Sequence, residues 1–226
     1  DKINDQLGDM KQNLQENSLL SKETMEKYME LQKLMDELTS EDMKKAMERM
    51  QNLLKDMNRN MTQEEMQNLK FDEERFKKSI ERSLNLLKRI QVEQKMDELM
   101  KRTEELEEQQ EKLSEQTENS NPSDQKEKDN LGKKQDEITK DLDQLKKEME
   151  NLEQKMSEAP DMPMEDMEKI MEEFEKQENQ QLSEQASQDI QQMQKQNAKK
   201  NQKQLSQNMK QMKQMMQQMN DSMQQE

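Results

Sequence analysis

Thioether sulfur is the chemistry this sequence offers most freely. The chain carries 25 methionines in 226 residues, and in MKQMKQMMQQMNDSM, residues 209 to 223, everything between them is polar. Methionine sulfur is one of the few protein ligands that a soft monovalent ion such as Cu(I) selects. The group best arranged for that role is DMPMEDM, where Met162, Met164 and Met167 sit beside Pro160 and Pro163 and an irregular backbone can gather three sulfurs. Against it stands a plainer reading, a helix start followed by seam methionines. Neither Cys nor His is present to support a metal, so no metal or cofactor is expected.

The run at 209 to 223 has its own logic. Leu205, Met209, Met212, Met216, Met219 and Met223 step by four, three, four, three and four residues, which places them where a coiled coil sets its a and d side chains. Met has nearly the helix propensity of Leu, and exchanging the two in a core costs less than about 1.5 kcal/mol. A seam made of Met is still apolar, but its unbranched side chains accept many neighbours and specify partners less sharply. These six positions are therefore expected to form a seam for other helices, in a partner protein or a second copy.

Other chemistry finds little support. Without Cys or His the chain lacks a thiolate nucleophile and the side chain that most often moves protons near neutral pH, so no enzyme is expected. Carboxylate pairs such as Glu172 with Glu173, or Asp72 with Glu73 and Glu74, read as solvated faces in so acidic a chain. Gly8 and Gly132 are isolated and make no phosphate loop. Lys199, Lys200 and Lys203 form a small basic cluster without aromatic residues, expected to pair with the acidic stretch from Asp161 to Glu184. A net charge of −15 repels phosphate backbones, which argues against nucleic acid as a partner.

The elements that must position these residues follow from composition. Only 27% of residues are hydrophobic and 39% are charged, too little apolar material for a broad core. Two Gly and three Pro leave almost nothing for turns or strands, so long helices with narrow seams are the default. Residues 1–70 read as short amphipathic helices, including a stripe through Met25, Tyr28, Leu31, Met35 and Leu38. Residues 71–113 read as one long helix with a heptad phase at Val92, Leu99, Thr103, Leu106, Gln110 and Leu113. The stretch 114–130 has no large apolar residue and contains Pro122, so it reads as a flexible linker.

Residues 131–158 resume the rhythm at Ile138, Leu142, Leu145, Met149, Leu152 and Met156, which makes them the second arm of an antiparallel hairpin. A proline break at 159–163 precedes 164–226, read as one long Met/Gln-rich helix whose poor seam between Glu178 and Gln204 predicts fraying or disorder. The fold class is all-α: extended helices with an antiparallel coiled-coil hairpin and little or no globular core.

The stretches YMELQKLMDEL (Tyr28 to Leu38) and FDEERFKKSIERSLNLLKRIQVEQKMDELMKRTEELEEQQEKL (Phe71 to Leu113) resemble a family of bacterial membrane proteins catalogued as domain of unknown function 4175. LLKRIQVEQKMDEL, Leu86 to Leu99, is the most specific part. The resemblance implies membrane-spanning helices and a soluble region ahead of a long helical region rich in Glu, Gln and Met. That last region would lie on the periplasmic side of the cell envelope. No run of apolar residues here is long enough to span a bilayer, so membrane attachment would come from segments outside this chain. The expected function is a non-enzymatic structural or interaction region of such a protein. The alternatives are a holdase-like module using its Met-rich seams, and a Cu(I)-binding protein.

Overall fold

In a computed structural model the described residues are 22–37, 73–121 and 123–225. Among them there are six helices: α1 (Lys22–Glu37), α2 (Glu73–Asn119), α3 (Gln125–Glu158), α4 (Met164–Lys176), α5 (Asn179–Gln191) and α6 (Lys195–Gln225). No strand occurs among these residues, and the fold is all-α. Two compact units divide within α2, between Gln91 and Val92. Apart from α1, the short helices expected in 1–70 lie outside the described residues.

In the first unit α1 lies along the beginning of α2. Tyr28 and Leu31 meet Ile80, Leu84, Leu87 and Ile90 in one buried cluster. Ion pairs flank it: Glu23 with Lys77 at 2.7 Å, Lys27 with Glu81, and Glu30 with Lys88 at 2.7 Å. Partner numbers rise together along both helices, so the two run parallel. Burial in this cluster pushes the Tyr28 phenol above its ordinary pKa.

The second unit begins at Val92, and its hydrogen bonds define the topology. Gln110 of α2 meets Gln135 of α3, while Arg102, two turns earlier, meets Glu148 at 2.7 Å, so the hairpin is antiparallel as expected. Along α3, Lys146 pairs with Glu175 of α4 at 3.0 Å and Asp136 accepts from Ser187 of α5 at 2.6 Å. The α4–α5 line meets α6 through Gln177 with Gln211 and Asp189 with Asn201. Finally α6 returns along α2, with Lys213 on Glu104 at 2.8 Å and Lys199 on Glu118. Each stave has two antiparallel neighbours, which makes an up-down-up-down four-helix bundle with its third stave broken into α4 and α5.

Two expectations are corrected here. The described part of the segment expected as one long, partly frayed helix, 164–225, is three helices. The chain turns at Glu178 and again at Met193, both in the left-handed region with φ of 46° and 62°, without Gly or Pro at either place. The poor seam explains the turn, because α5 buries only Asn179, Ser183, Ala186, Ser187 and Ile190. A straight helix would leave that small, polar face uncovered, whereas folding back seats it closely against α3 and α6.

The expected linker at 114–130 is also mostly helical. Helix α2 continues to Asn119 because Ser114 and Thr117 face inward, and Thr117 Oγ1 donates to the Leu113 carbonyl at 2.8 Å. Lys195 closes that helix end by donating to the carbonyls of Glu118 and Ser120, a cation where the helix dipole is negative. Asp124 caps α3 by accepting from the Glu127 amide at 3.1 Å. The proline break matches the expectation: α3 ends at Glu158 and Pro163 is the residue before α4.

The close seating of α5 generates a measurable expectation. Ala186 is fully buried, and enlarging it forces the stave outward. Ala186→Leu should destabilise the bundle by about 1–3 kcal/mol, the usual cost of overpacking, seen as a lower midpoint in thermal circular dichroism.

Candidate functional site

The bundle interior contains the arrangement that most distinguishes this chain. Its centre is the Gln135 side chain on α3, which is fully buried. Gln110 and Gln135 exchange amide hydrogen bonds: Gln135 Nε2 donates to Gln110 Oε1 at 2.8 Å and Gln110 Nε2 donates to Gln135 Oε1 at 3.2 Å. The second Gln135 proton goes to Ser183 Oγ of α5 at 2.8 Å, and Gln135 Oε1 also accepts from Gln202 Nε2 of α6 at 3.0 Å. One carboxamide therefore bonds to all three other staves, using both donors and both acceptor directions.

The proton directions around it follow from counting. Thr139 gives its hydrogen to the Gln135 main-chain carbonyl at 3.0 Å, so the 2.7 Å contact between Thr139 and Ser183 is donated by Ser183. Thr117 has likewise given its proton to Leu113, so it accepts from Gln202 at 3.2 Å. Gln202 spends both amide protons in this way, and its Oε1 has no hydrogen-bond partner among the described residues. Beside the layer, Asn208 of α6 donates to Asn179 of α5 at 2.8 Å, and Asn179 donates to the Phe174 carbonyl, tying the α4–α5 break into the core.

This layer divides the interior into two chemically different halves. Met96 precedes Gln110 on α2, Met149 and Met156 follow Gln135 on α3, Met167 precedes Ser183 on its stave, and Met209 to Met223 follow Gln202 on α6. With antiparallel neighbours, all of these lie on the same side. Every buried methionine of the bundle is thus in one half, together with Leu99, Leu106, Leu142, Leu145, Leu152, Ile170 and Phe174. Thr103 is the polar exception on α2 there; its hydroxyl bonds to the Leu99 carbonyl at 2.8 Å and lies 3.9 Å from the Met216 sulfur.

The expected seams can now be placed. The hairpin seam, Val92, Leu99, Leu106, Leu113, Ile138, Leu142, Leu145, Met149, Leu152 and Met156, is buried in this core. So is the seam expected to await a partner, Leu205, Met209, Met212, Met216, Met219 and Met223, each no more than 1% exposed. In this fold these six side chains join one core cluster with residues of α2, α3 and α4 of the same chain. A three-four spacing places residues on one face and carries no information about whose helix covers it.

Of the metal candidates, Met167 is buried, while Met162 and Met164 are half-buried and packed against the same cluster. Among the described residues no three carboxylates converge as a cation site. Lys199 pairs with Glu118 of α2 and not with the acidic Asp161–Glu184 stretch; this contact holds the Glu118 carboxyl below its usual range. A surface groove of about 430 Å³ between α2 and α3 is lined by Arg102, Asp141 and Glu148, which already pair with one another. No helix among the described residues is long and apolar enough to cross a membrane.

Sequence reasoning missed the buried polar layer, although a signal existed. Gln110 and Gln135 stand on the heptad phase, where an unbroken apolar rhythm is expected, and a polar side chain at such a position is the usual device for specifying register. Comparison with known proteins adds no assignment: no protein family, curated protein or solved structure matches the chain.

Gln135→Leu tests the network. It makes the core more apolar, yet strands the Gln110 amide and removes one hydrogen bond each from Gln202 and Ser183, which keep Thr117 and Thr139 as partners. The variant should lose about 1–3 kcal/mol for each buried group left unpaired, read by urea titration. Replacing Gln110, Gln135 and Gln202 together by Leu should recover much of that loss while broadening the amide spectrum, because the level of the staves is no longer specified.

Proposed function

We propose that this chain is a non-catalytic helical module with a structural or interaction role, part of the extended helical region of a bacterial cell-envelope membrane protein on its periplasmic side. One observation carries the structural part of this reading: the apolar seams are closed by the chain's own helices around a hydrogen-bonded layer that bonds all four staves. Such an interior supplies a self-contained rigid element. The envelope placement follows from the resemblance at Leu86 to Leu99 and predicts membrane-spanning helices in the flanking sequence.

Light scattering on the chain in solution tests the self-contained bundle. A helical species of single-chain mass at micromolar concentration is expected. Assembly that rises with concentration and is abolished by polar substitutions in the Met209–Met223 row would overturn it in favour of a seam shared between chains.

A second reading, capture of apolar segments in the manner of a holdase, is favoured by the concentration of methionine in one half. Adaptable thioethers suit a surface that repacks around different clients. This reading requires that half to open, and it predicts that the chain suppresses aggregation of an unfolding client. No suppression at several-fold excess leaves the structural role standing alone. Cu(I) handling through Met162, Met164 and Met167 ranks behind both, since Met167 is engaged in the core.

A further inference from the structure

We propose that Met100, Met171 and Met215 are oxidation sites through which peroxide opens the methionine-filled half of the bundle. The chain has no Cys and no Trp, so thioether sulfur is the side-chain group that peroxide attacks. The fold sorts these sulfurs by access. The seam methionines are no more than 1% exposed, whereas Met100, Met171 and Met215 are half-buried with one side packed against the core, as are Met162 and Met164 at the end of the bundle where α4 begins. Met100, Met171 and Met215 stand on three staves, α2, α4 and α6. The contacts of Gln211 with Glu173 and Gln177 set the α4–α6 register, and one turn further along α6 Met215 is level with Met171.

The chemical step is a two-electron oxidation. A sulfur lone pair attacks one peroxide oxygen, the O–O bond breaks and an S–O bond forms. Thioether becomes sulfoxide, and the second peroxide oxygen leaves as water after taking up the protons. The product is polar and a strong hydrogen-bond acceptor. The core they pack against is a cluster of apolar side chains, and the Thr103 hydroxyl there is already bonded to the Leu99 carbonyl. A buried acceptor without a donor is unfavourable, so the oxidised side chain turns to water and withdraws its packing atoms from the seam. Met212, Met216 and Met219 then become accessible and oxidise in turn.

The opening stops at the amide layer, because no buried methionine lies beyond it and its contacts are hydrogen bonds that peroxide does not alter. Met193, 49% exposed at the α5–α6 turn, lies on the far side and serves as an internal control.

The test is stepwise treatment of the full chain with hydrogen peroxide, with peptide mass spectrometry to order the oxidations and fluorescence of an apolar dye to detect opening. Met193, Met100, Met171 and Met215 should oxidise before Met209, Met212, Met216 and Met219. Dye binding should rise with Met100, Met171 and Met215, then fall after a methionine sulfoxide reductase is added. A triple variant, Met100→Leu, Met171→Leu and Met215→Leu, should fold normally and lose the dye response at a dose that opens the unsubstituted chain, while Met193→Leu should keep it. The proposal is overturned if the triple variant responds like the unsubstituted chain, or if the seam methionines oxidise no later than the three rim positions.

Discussion

The second unit depends on one side chain that bonds to the three staves around its own. A carboxamide offers two donors and two acceptor directions, and Gln135 uses them all on α2, α5 and α6. Apolar layers alone would let helices slide by a turn at little cost, since one Leu or Met contact resembles the next. An amide that loses its partners on sliding makes the wrong register unfavourable by the cost of several unpaired buried groups. Everything above and below the layer is aligned by it, including the left-handed turns that let the third stave follow α3 and α6.

With alignment supplied by the network, the rest of the core is free to be soft. Met replaces Leu along most of α6 without loss of apolar contact, because an unbranched chain fills whatever gap its neighbours leave. The result is an interior with a specified half and an adaptable half. Small side chains, Ala186 and Ser183 among them, bring α5 close on the specified side. Thioethers fill the other. A structural role requires the adaptable half to stay closed, whereas client capture requires it to open.

Charge acts in a smaller way. The pairs that join staves, Lys213 with Glu104 and Lys146 with Glu175 among them, are partly solvated and screened, so they guide orientation more than they hold the fold. Their value is that they agree with the antiparallel order the core requires.

Composition and spacing determined the helical class, the hairpin and the identity of nearly every buried apolar residue, from Val92 to Met156 and from Leu205 to Met223. These are local properties: a 3.6-residue period places side chains on a face whatever lies opposite. Two further facts were partly legible, since Gln110 and Gln135 stand on the heptad phase and the weak seam after Glu178 marks where one helix could not continue unaided. Only the tertiary structure decided that the seam of α6 is covered by α2, α3 and α4 of its own chain, that the chain turns at Glu178 and Met193 without Gly or Pro, and that all buried methionines share one half. Those outcomes depend on which faces meet, and that is settled by the summed burial and hydrogen bonding of residues far apart in sequence, which no single helix encodes.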